Sequence, residues 1–252
     1  MPDPGIDQTR GNRLRERAKL AVRGVLHRFD LELSKGPYPA RLVRTLETYG
    51  IDTVLDVGAN VGQFAVMTRR AGFPGRIVSC EPLSGAYSEL ARRASGDAAW
   101  TPLNTAVGSA PGELEINVAA NSYSSSVLPM TEAHLTGAPG SGYVAVEKVP
   151  VTTVAALCED HRLDPARTLL KIDTQGYEAE VLAGAGDLVT GFGAVQLELS
   201  FVELYEGQVL FDETVARLRG WGYRIHAIEP GFSGPDGRLL QCDGLFVPDR
   251  ND

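Results

Sequence analysis

Apolar runs of strand length alternate with amphipathic segments of helical length along most of this chain. Val54, Leu55 and Val57 form the first such run, and continuous apolar runs are typical of parallel strands covered on both faces. The predicted elements begin with a strand 53–58, a helix 61–71, a strand 76–81, a helix 84–95 and a strand 100–107. This βαβ order predicts an α/β fold with an open, mostly parallel sheet and a ligand crevice at the carboxyl ends of its strands.

The alternation weakens between Pro111 and Pro150 and then returns. Residues 113–118 predict one short extra strand, and residues 120–142 have the Ser, Gly, Ala and Pro content of a surface excursion. We interpret residues 120–145 as an active-site loop whose hydroxyls at 122–126 could meet an acceptor, although a flexible linker fits as well. The later predicted elements are a strand and turn 168–176, a helix 177–185, a strand 194–200, a helix 211–221, and strands 223–228 and 244–247 that suit an antiparallel hairpin.

Length and composition limit the classes of protein to consider. A chain of 252 residues with 43% hydrophobic content predicts one sizeable core. We divide the chain into an N-terminal helical extension, 1–49, and a main domain, 50–252. The formal net charge of −8 disfavours nucleic acid as a partner, since phosphate binding needs a basic face. Cys80, Cys158 and Cys242 are widely spaced and suggest neither disulfides nor a zinc site.

Basic charge is concentrated at the start of the chain, where the first 30 residues hold seven Lys or Arg against four Asp or Glu. Residues 13–29 place apolar side chains at helical spacing with basic residues between them, which predicts an amphipathic helix. Such a helix can bind an anionic membrane surface, clasp a partner subunit or pack on its own domain. It is too interrupted to span a membrane, and the layout of a secretory signal is absent. We therefore expect a cytoplasmic protein, with peripheral membrane contact and homo-oligomerisation left open.

The first predicted strand leads into a glycine turn and then a helix, which is where α/β proteins bind nucleotide-like cofactors. Gly58 and Gly62 are four positions apart and are preceded by Asp56. This spacing differs from the G-x-G-x-x-G turn that packs against a pyrophosphate, and it favours S-adenosylmethionine over NAD. We expect the glycines to let the backbone approach the ligand, and Asp56 to meet N–H groups of the turn or a ligand amine. An ordinary strand-to-helix turn is the alternative.

Glu81 ends the second predicted strand, 25 positions after Asp56. A carboxylate at this place in a doubly wound sheet can accept both ribose hydroxyls of an adenosine group. The alternative is a solvated strand end, so the prediction of ribose binding depends on the neighbouring glycine turn.

Lys171 and Asp173 are two apart on a predicted strand and therefore face the same side. Glu198 lies at the matching end of the next strand, so we expect three charges near the ligand crevice. Asp173 or Glu198 could act as a general base or as a ligand of Mg²⁺, with Lys171 offsetting the crowded carboxylates. A purely structural Lys171–Glu198 ion pair, with Asp173 capping the next turn, is the alternative. The pattern favours a structural or exposed position for each of the four histidines, and His226, on a late predicted strand, is the best candidate base among them.

Five segments together resemble the FkbM family of S-adenosylmethionine-dependent O-methyltransferases. They are Leu55-Asp-Val-Gly-Ala-Asn-Val-Gly-Gln-Phe64, Cys80-Glu-Pro82, Asn104-Thr-Ala106, Leu170-Lys-Ile-Asp-Thr-Gln-Gly-Tyr-Glu178 with Val181-Leu-Ala-Gly184, and Glu198. The Lys-Ile-Asp-x-x-Gly-x-Glu part is the more family-specific, whereas the first glycine motif is common to most class I methyltransferases. The resemblance runs from about residue 50 to about residue 228 and leaves the first 35 residues and 120–145 unmatched.

The resemblance implies a class I methyltransferase fold, which is a Rossmann-like seven-stranded sheet, mostly parallel with a C-terminal antiparallel hairpin. It implies S-adenosylmethionine as cofactor and a hydroxyl of a sugar, glycolipid or polyketide as acceptor. The cofactor-binding residues that it implies are Asp56, Gly58, Asn60, Gly62, Glu81 and Pro82, with Asn104 and Ala106 at the adenine. Asp173, Glu198 and Lys171 are the catalytic candidates.

Two functions of other classes remain as alternatives. A non-catalytic S-adenosylmethionine-binding module is disfavoured because a platform would not need buried charges beside the cofactor. An NAD-dependent reductase is disfavoured because the chain lacks the G-x-G turn and a Tyr-x-x-x-Lys pair.

Overall fold

The computed structural model describes residues 38–121 and 123–249. The predicted amphipathic helix 13–29 lies outside the described residues, as does most of the predicted extension 1–49. The last part of that extension forms helix α1, Tyr38–Thr48, whose buried face includes Leu42 and Leu46.

Ten strands and six further α-helices follow in the described part of the chain. The strands are β1 (Thr53–Val57), β2 (Arg76–Cys80), β3 (Trp100–Leu103), β4 (Ala106–Val107), β5 (Gly112–Ala119), β6 (Tyr143–Thr152), β7 (Thr168–Ile172), β8 (Ala194–Ser200), β9 (Tyr223–Pro230) and β10 (Gln241–Pro248). The helices are α2 (Gln63–Arg70), α3 (Ser84–Ala94), α4 (Glu132–Gly137), α5 (Val154–Asp160), α6 (Glu178–Ala183) and α7 (Phe211–Gly220). Short 3₁₀ turns at Pro165–Arg167 and Gly186–Gly191 lead into β7 and β8.

Seven strands form the main sheet, in the order β3-β2-β1-β7-β8-β10-β9. β10 is antiparallel to both of its neighbours, and the other pairs are parallel. The predicted α/β fold, a mostly parallel seven-stranded sheet closed by a C-terminal antiparallel hairpin, is confirmed. All residues of β1 and β7 are buried, as expected for central strands with helices on both faces. The strand order reverses between β1 and β7, so the ligand crevice opens at their carboxyl ends.

A second, three-stranded sheet, in the order β4-β6-β5, corrects two expectations. The predicted strand 100–107 is broken, because β3 pairs with β2 in the main sheet whereas β4 pairs with β6. Part of the segment expected to be irregular forms α4 and the ten-residue strand β6. The sequence does not predict β6 because its outward side chains include Val144 and Val146, 68% and 60% exposed, so apolar and polar positions do not alternate.

None of the described helices has the length and apolar content needed to cross a membrane.

Candidate active site

The turn after β1 has left-handed backbone at three residues. Gly58, Asn60 and Gly62 have φ values of 75°, 48° and 86°. A Cβ on Gly58 would lie 1.8 Å from the carbonyl oxygen of Asp173, and one on Gly62 would lie 2.9 Å from side chains of α3 and β3. Positive φ and close packing within the protein therefore account for both glycines, without the ligand approach that we expected. Contact of this turn with a cofactor stays a prediction.

Asp56 is fully buried in β1 and finds its partners on the neighbouring strands, whereas we expected N–H groups of the turn or a ligand amine. Ser79 Oγ donates to Asp56 Oδ2 at 3.2 Å, and Lys171 Nζ lies 3.1 Å from Oδ1. Lys171 Nζ also donates to the carbonyl oxygen of Gly58 at 3.3 Å and lies 3.5 Å from Asp173 Oδ2. Lys171 thus forms ion pairs with Asp56 and Asp173. The alternative that we considered, an ion pair of Lys171 with Glu198, is wrong.

The environment of Lys171 keeps its ammonium group charged. Burial alone lowers the pKa of Lys171, but the negative charges of Asp56 and Asp173 outweigh burial and raise the pKa above its ordinary value. A permanently protonated amine cannot accept a proton from a substrate. Lys171 therefore contributes to this site by compensating the charge of the carboxylates around it.

Glu81 follows β2 and is only 5% exposed. Its two oxygens accept from the backbone N–H groups of Asn60 and Leu83 at 2.8 and 2.9 Å. Burial raises the pKa of Glu81 to about 7, although these two hydrogen bonds lower it in part. Each carboxylate oxygen has a second lone pair, so Glu81 can still accept ribose hydroxyls while it fixes the glycine turn.

Asn104 lies at the break between β3 and β4 and joins two predicted cofactor contacts. Its Nδ2 donates to the carbonyl oxygens of Glu81 and Pro82 at 3.0 and 2.9 Å. Ala106, the first residue of β4, is buried in a small cluster with Leu83. The structure thus brings Glu81, Pro82 and Asn104 together at one end of the crevice, whereas the side chain of Ala106 packs into the protein.

Gln175 connects the two predicted catalytic carboxyls. Its Nε2 donates to Asp173 Oδ1 and to Glu198 Oε2, both at 2.8 Å. Gln241 Nε2 donates to the same Glu198 oxygen at 2.9 Å. The side chain of Asp173 is 35% exposed, so the bridged pair has one member that reaches the crevice.

The surroundings of Glu198 raise its affinity for a proton. Burial raises the pKa of Glu198 well above its ordinary value, and the negative charges of Asp173, Glu178 and Asp243 raise it further. Asp243 is the register partner of Glu198 on β10, and burial together with the charge of Asp173 raises the pKa of Asp243 to about 6. A carboxylate whose pKa lies closer to neutrality is a better proton acceptor at physiological pH. Within the bridged pair, Glu198 therefore has the raised pKa and Asp173 has the exposure.

Glu178 builds the turn that follows β7. Its Oε1 accepts from the backbone N–H groups of Thr174 and Gly176 at 2.9 and 3.1 Å, and from Thr174 Oγ1 at 3.2 Å. Burial raises the pKa of Glu178. Between the two anchored residues, Gln175 is held at a φ of 55°, so Glu178 determines how the bridging amide is presented.

The predicted active-site loop has one hydrogen bond to this turn and one contact with Tyr205. Ser126 Oγ donates to the backbone carbonyl of Gln175 at 2.7 Å, and Tyr205 Oη lies 3.3 Å from the carbonyl oxygen of Ser124. Ser124 and Ser126 are buried. Of the hydroxyls in the predicted run 122–126, that of Ser126 therefore supports the turn from inside the protein, whereas that of Ser124 accepts from Asn121 Nδ2 at 3.0 Å. Ser122 lies outside the described residues.

Sequence reasoning missed four residues of this site, which are Gln175, Tyr205, Gln241 and Asp243. Gln175 stands inside the family-like motif, but a neutral amide carries no signal of acid–base chemistry. Gln241 reaches Glu198 across 43 positions of sequence through the antiparallel pairing of β8 and β10. No local pattern indicates which residue will face Glu198 in such a pair.

The described histidines and acidic groups do not form a metal centre. Within residues 38–121 and 123–249, no group of three His, Cys, Asp or Glu side chains is arranged to hold a metal ion. His226 lies on the edge strand β9, where its Nε2 is 3.1 Å from Thr45 Oγ1 of α1, so its contact is with α1. His134 is buried between the rings of Tyr205 and Phe232, with centroids 5.0 and 6.0 Å away.

An unpaired acceptor lies beside the glycine turn. The buried Oε1 of Gln63, the first residue of α2, has no hydrogen-bond partner among the described residues. A buried acceptor without a donor is costly, and a ligand amine would satisfy it. With the carboxylate of Glu81 available to ribose hydroxyls, the residues present fit an adenosyl amino acid such as S-adenosylmethionine. The residues that would hold it are Gly58 to Gly62, Gln63 and Glu81.

Solved structures of methyltransferases resemble the chain. Magnesium protoporphyrin IX methyltransferase from Synechocystis PCC 6803 is 13% identical, with 83% of this chain and 77% of that chain covered and a TM-score of 0.44. Precorrin-6y C5,15-methyltransferase from Geobacter metallireducens GS-15 is 12% identical, with 87% and 94% covered and a TM-score of 0.45. A 1,6-didemethyltoxoflavin N1-methyltransferase from Burkholderia thailandensis is 12% identical, with 84% and 78% covered and a TM-score of 0.44. Likeness at this level does not bear on the reaction or the acceptor.

A comparison with curated proteins found no significant match. The family model described as the methyltransferase FkbM domain matches residues 56–225, which is more than half of the chain. The matched range begins at Asp56, inside β1, and includes β2 to β8 in full, with the glycine turn, Glu81, the bridged carboxyls and the turn after β7. The protein therefore belongs to the FkbM family of S-adenosylmethionine-dependent methyltransferases.

Proposed function

We propose that this methyltransferase acts on oxygen, and that its acceptor is a hydroxyl of a sugar, a glycolipid or a polyketide. The observation that carries the proposal is the pair of carboxyls at the ends of β7 and β8, Asp173 and Glu198, bridged by one amide. An alcohol is a poor nucleophile and must lose its proton as its oxygen is methylated, so a proton acceptor beside the crevice is what O-methylation needs.

Bound S-adenosylmethionine would supply an electrophilic methyl group on a cationic sulfur. The protein aligns the acceptor oxygen with that methyl group, and alignment is worth most when the reacting atoms are held roughly 3–3.5 Å apart. The half-exposed carboxylate of Asp173 accepts a hydrogen bond from the acceptor hydroxyl. The hydroxyl proton then passes to the Asp173–Glu198 pair, while Lys171 compensates the negative charge on the cofactor side of Asp173.

Calorimetric titration of the full chain with S-adenosylmethionine, S-adenosylhomocysteine and NAD, with and without Mg²⁺, is the first experiment. We expect micromolar binding of both sulfur compounds and no binding of NAD. If neither S-adenosylmethionine nor S-adenosylhomocysteine binds, the proposal loses the cofactor on which it depends.

Transfer of an isotope-labelled methyl group to a panel of hydroxylated acceptors then tests the reaction. The product is analysed by mass spectrometry and ¹³C NMR, which separate an O-methyl group from N-methyl and C-methyl groups. A labelled O-methyl product supports the proposal, whereas an N-methyl or C-methyl product would overturn it. Cofactor binding with no transfer to any acceptor would favour the non-catalytic binding module.

A further inference from the structure

Gln175 uses every polar group of its side chain to connect three neighbours. Its Nε2 donates to Asp173 Oδ1 and Glu198 Oε2, each at 2.8 Å, and its Oε1 accepts from Tyr205 Oη at 2.7 Å. An amide nitrogen carries two N–H groups, so each carboxyl receives one. The amide is therefore fully used within this cluster of four residues.

Tyr205 fixes the direction in which the amide faces. With the amide reversed, its oxygen would face one oxygen of Asp173 and one of Glu198, and no hydrogen would lie between these acceptors. The observed orientation, in which Tyr205 Oη donates to the amide oxygen, avoids this. Burial, followed by the negative charge of Glu198, raises the pKa of Tyr205, so the hydroxyl stays protonated and donates. A Cβ on Gly176 would lie 2.9 Å from Tyr205 Cβ, so tight packing holds the ring in place.

The backbone of Gln175 is also held in an uncommon conformation. A φ of 55° is unfavourable for a residue with a side chain, and it persists here because Glu178 binds the N–H groups of both flanking residues. Ser126 Oγ adds a hydrogen bond to the Gln175 carbonyl oxygen. The structure thus maintains a strained residue at the point where the two carboxyls meet.

We infer that Gln175 is the positioning residue of this site: it holds the carboxyls of Asp173 and Glu198 on either side of one amide so that they act on the acceptor hydroxyl as a unit. The inference rests on the proposed function, because it assigns the two carboxyls to proton acceptance. Without the amide, the two carboxyls would face each other with no donor between them, and repulsion would favour a proton on one. The charged and titratable groups that face Glu198 are Asp173, Glu178, Lys171, Asp243, Tyr205 and Cys242.

Gln175→Met is the main test, since methionine keeps the length of the side chain and removes both donors. The carboxyl groups of the full chain are labelled with ¹³C, and the titrations of Asp173 and Glu198 are followed by NMR, with thermal unfolding as a check of the fold. Loss of a hydrogen bond to a charged group corresponds to a shift of about one pH unit. We expect the titration midpoint of Glu198 to rise by that amount, and that of Asp173 to rise as well, because each carboxylate loses a donor.

Gln241→Met is the matched control. It removes the other donor to Glu198 Oε2, and Gln241 has its second hydrogen bond with Ser200 and none with Asp173. We therefore expect this variant to shift the titration of Glu198, and to shift that of Asp173 clearly less than Gln175→Met does. A Gln175→Met effect confined to Glu198, or no effect, would overturn the inference.

Tyr205→Phe provides an independent test that leaves the Gln175 side chain in place. Loss of the hydroxyl releases the amide to rotate, so we expect both midpoints to move in the same direction as in Gln175→Met, by less. If Gln175→Met does not fold, unchanged midpoints in Tyr205→Phe would overturn the inference.

The pH profile of methyl transfer separates the inference from the proposed function. We expect the limb reporting the carboxyl pair to move to higher pH in Gln175→Met, with affinity for S-adenosylhomocysteine within a few-fold of wild type. An unmoved limb in an enzyme that methylates hydroxyls would overturn the inference and leave the function standing. The opposite outcome is a protein that binds S-adenosylhomocysteine and methylates only nitrogen or carbon. If both carboxyls still respond to Gln175→Met in that protein, the proposed function is overturned and the positioning role of Gln175 stands.

Discussion

Lys171 Nζ lies 3.1 Å from Oδ1 of Asp56, its direct register partner on the adjacent parallel strand. The two side chains are 7% and 0% exposed. The pair joins the strand that leads into the glycine turn to the strand that leads into the bridged carboxyls. Because both charges are buried, each depends on the other for compensation.

Replacing Lys171 by Met leaves the carboxylate of Asp56 buried without its cation. We expect the free energy of unfolding to fall by about 3–5 kcal/mol, as measured by denaturant titration. The matched control is Arg167→Met, which breaks the exposed ion pair of Arg167 with Asp52 and should cost much less, because solvent screens exposed charges. Equal losses in the two variants would mean that the buried pair has no special weight.

Asp173→Asn removes a proton acceptor while keeping the shape of the side chain. We expect methyl transfer to fall by about 10²–10⁴-fold, the usual contribution of a general base, with affinity for S-adenosylhomocysteine within a few-fold. Single-turnover transfer and calorimetry measure the two quantities. Asp187→Asn, on the 3₁₀ turn before β8, serves as control. Parallel loss of binding and transfer would assign Asp173 a structural role.

Glu81→Ala should weaken cofactor binding and leave turnover at saturating cofactor little changed, because ribose contacts are the same in the ground and transition states. The pKa of Glu81 is raised to about 7, so its carboxylate is protonated as the pH falls below that value. Wild-type affinity for S-adenosylhomocysteine should therefore decrease from pH 8 to pH 6, and the variant should lose this pH dependence. A defect in turnover alone would refute the assignment.

Gly58→Ala combines an unfavourable φ with a steric clash, whereas Gly72→Ala carries the φ penalty alone. Gly72 has a φ of 99° and open space where a Cβ would be added. We expect Gly72→Ala to cost about 1–2 kcal/mol and Gly58→Ala to cost clearly more, because its Cβ would lie against the Asp173 carbonyl. Thermal unfolding of both variants measures the difference, and similar costs would remove the packing explanation.

His134 makes the fold sensitive to acid. Burial lowers the pKa of His134 from its ordinary value of 6.5, so below that pH the unfolded chain binds the proton more readily than the folded one. The neutral, buried His134 therefore contributes to the stability of the fold in full above pH 6.5, and this contribution is lost as the pH falls through the lowered pKa. We expect the melting temperature of His134→Leu to fall less between pH 7 and pH 5 than that of wild type. His161→Gln, at the end of α5, should keep the wild-type dependence.

The main sheet was predictable because its signals are local. β1, β2, β7 and β8 are mostly apolar runs of strand length, each followed by a turn, and the strand–turn–helix order determines where their carboxyl ends lie. The convergence of Asp173 and Glu198 follows from that order alone, since the strands that carry them are neighbours.

The partners of those charges were not predictable, because they depend on register and on side-chain geometry. Lys171 could face either adjacent strand, and the sequence does not say that Asp56, and not Glu198, lies within reach. Gln175 and Tyr205 come together 30 positions apart through a turn with positive φ, for which no composition rule exists. The small sheet was missed for a related reason, because β6 leaves apolar side chains exposed on its outer face.

The contact between Gly58 and Asp173 has a kinetic consequence. The Asp173 N–H donates to the carbonyl oxygen of Val57 at 3.0 Å, and the next residue, Gly58, has no room for a Cβ against the Asp173 carbonyl. Any movement of Gly58 when the methyl donor binds would therefore be passed to the backbone of Asp173. We expect the two substrates to add in a compulsory order, with the donor entering first and the acceptor site completed by its arrival.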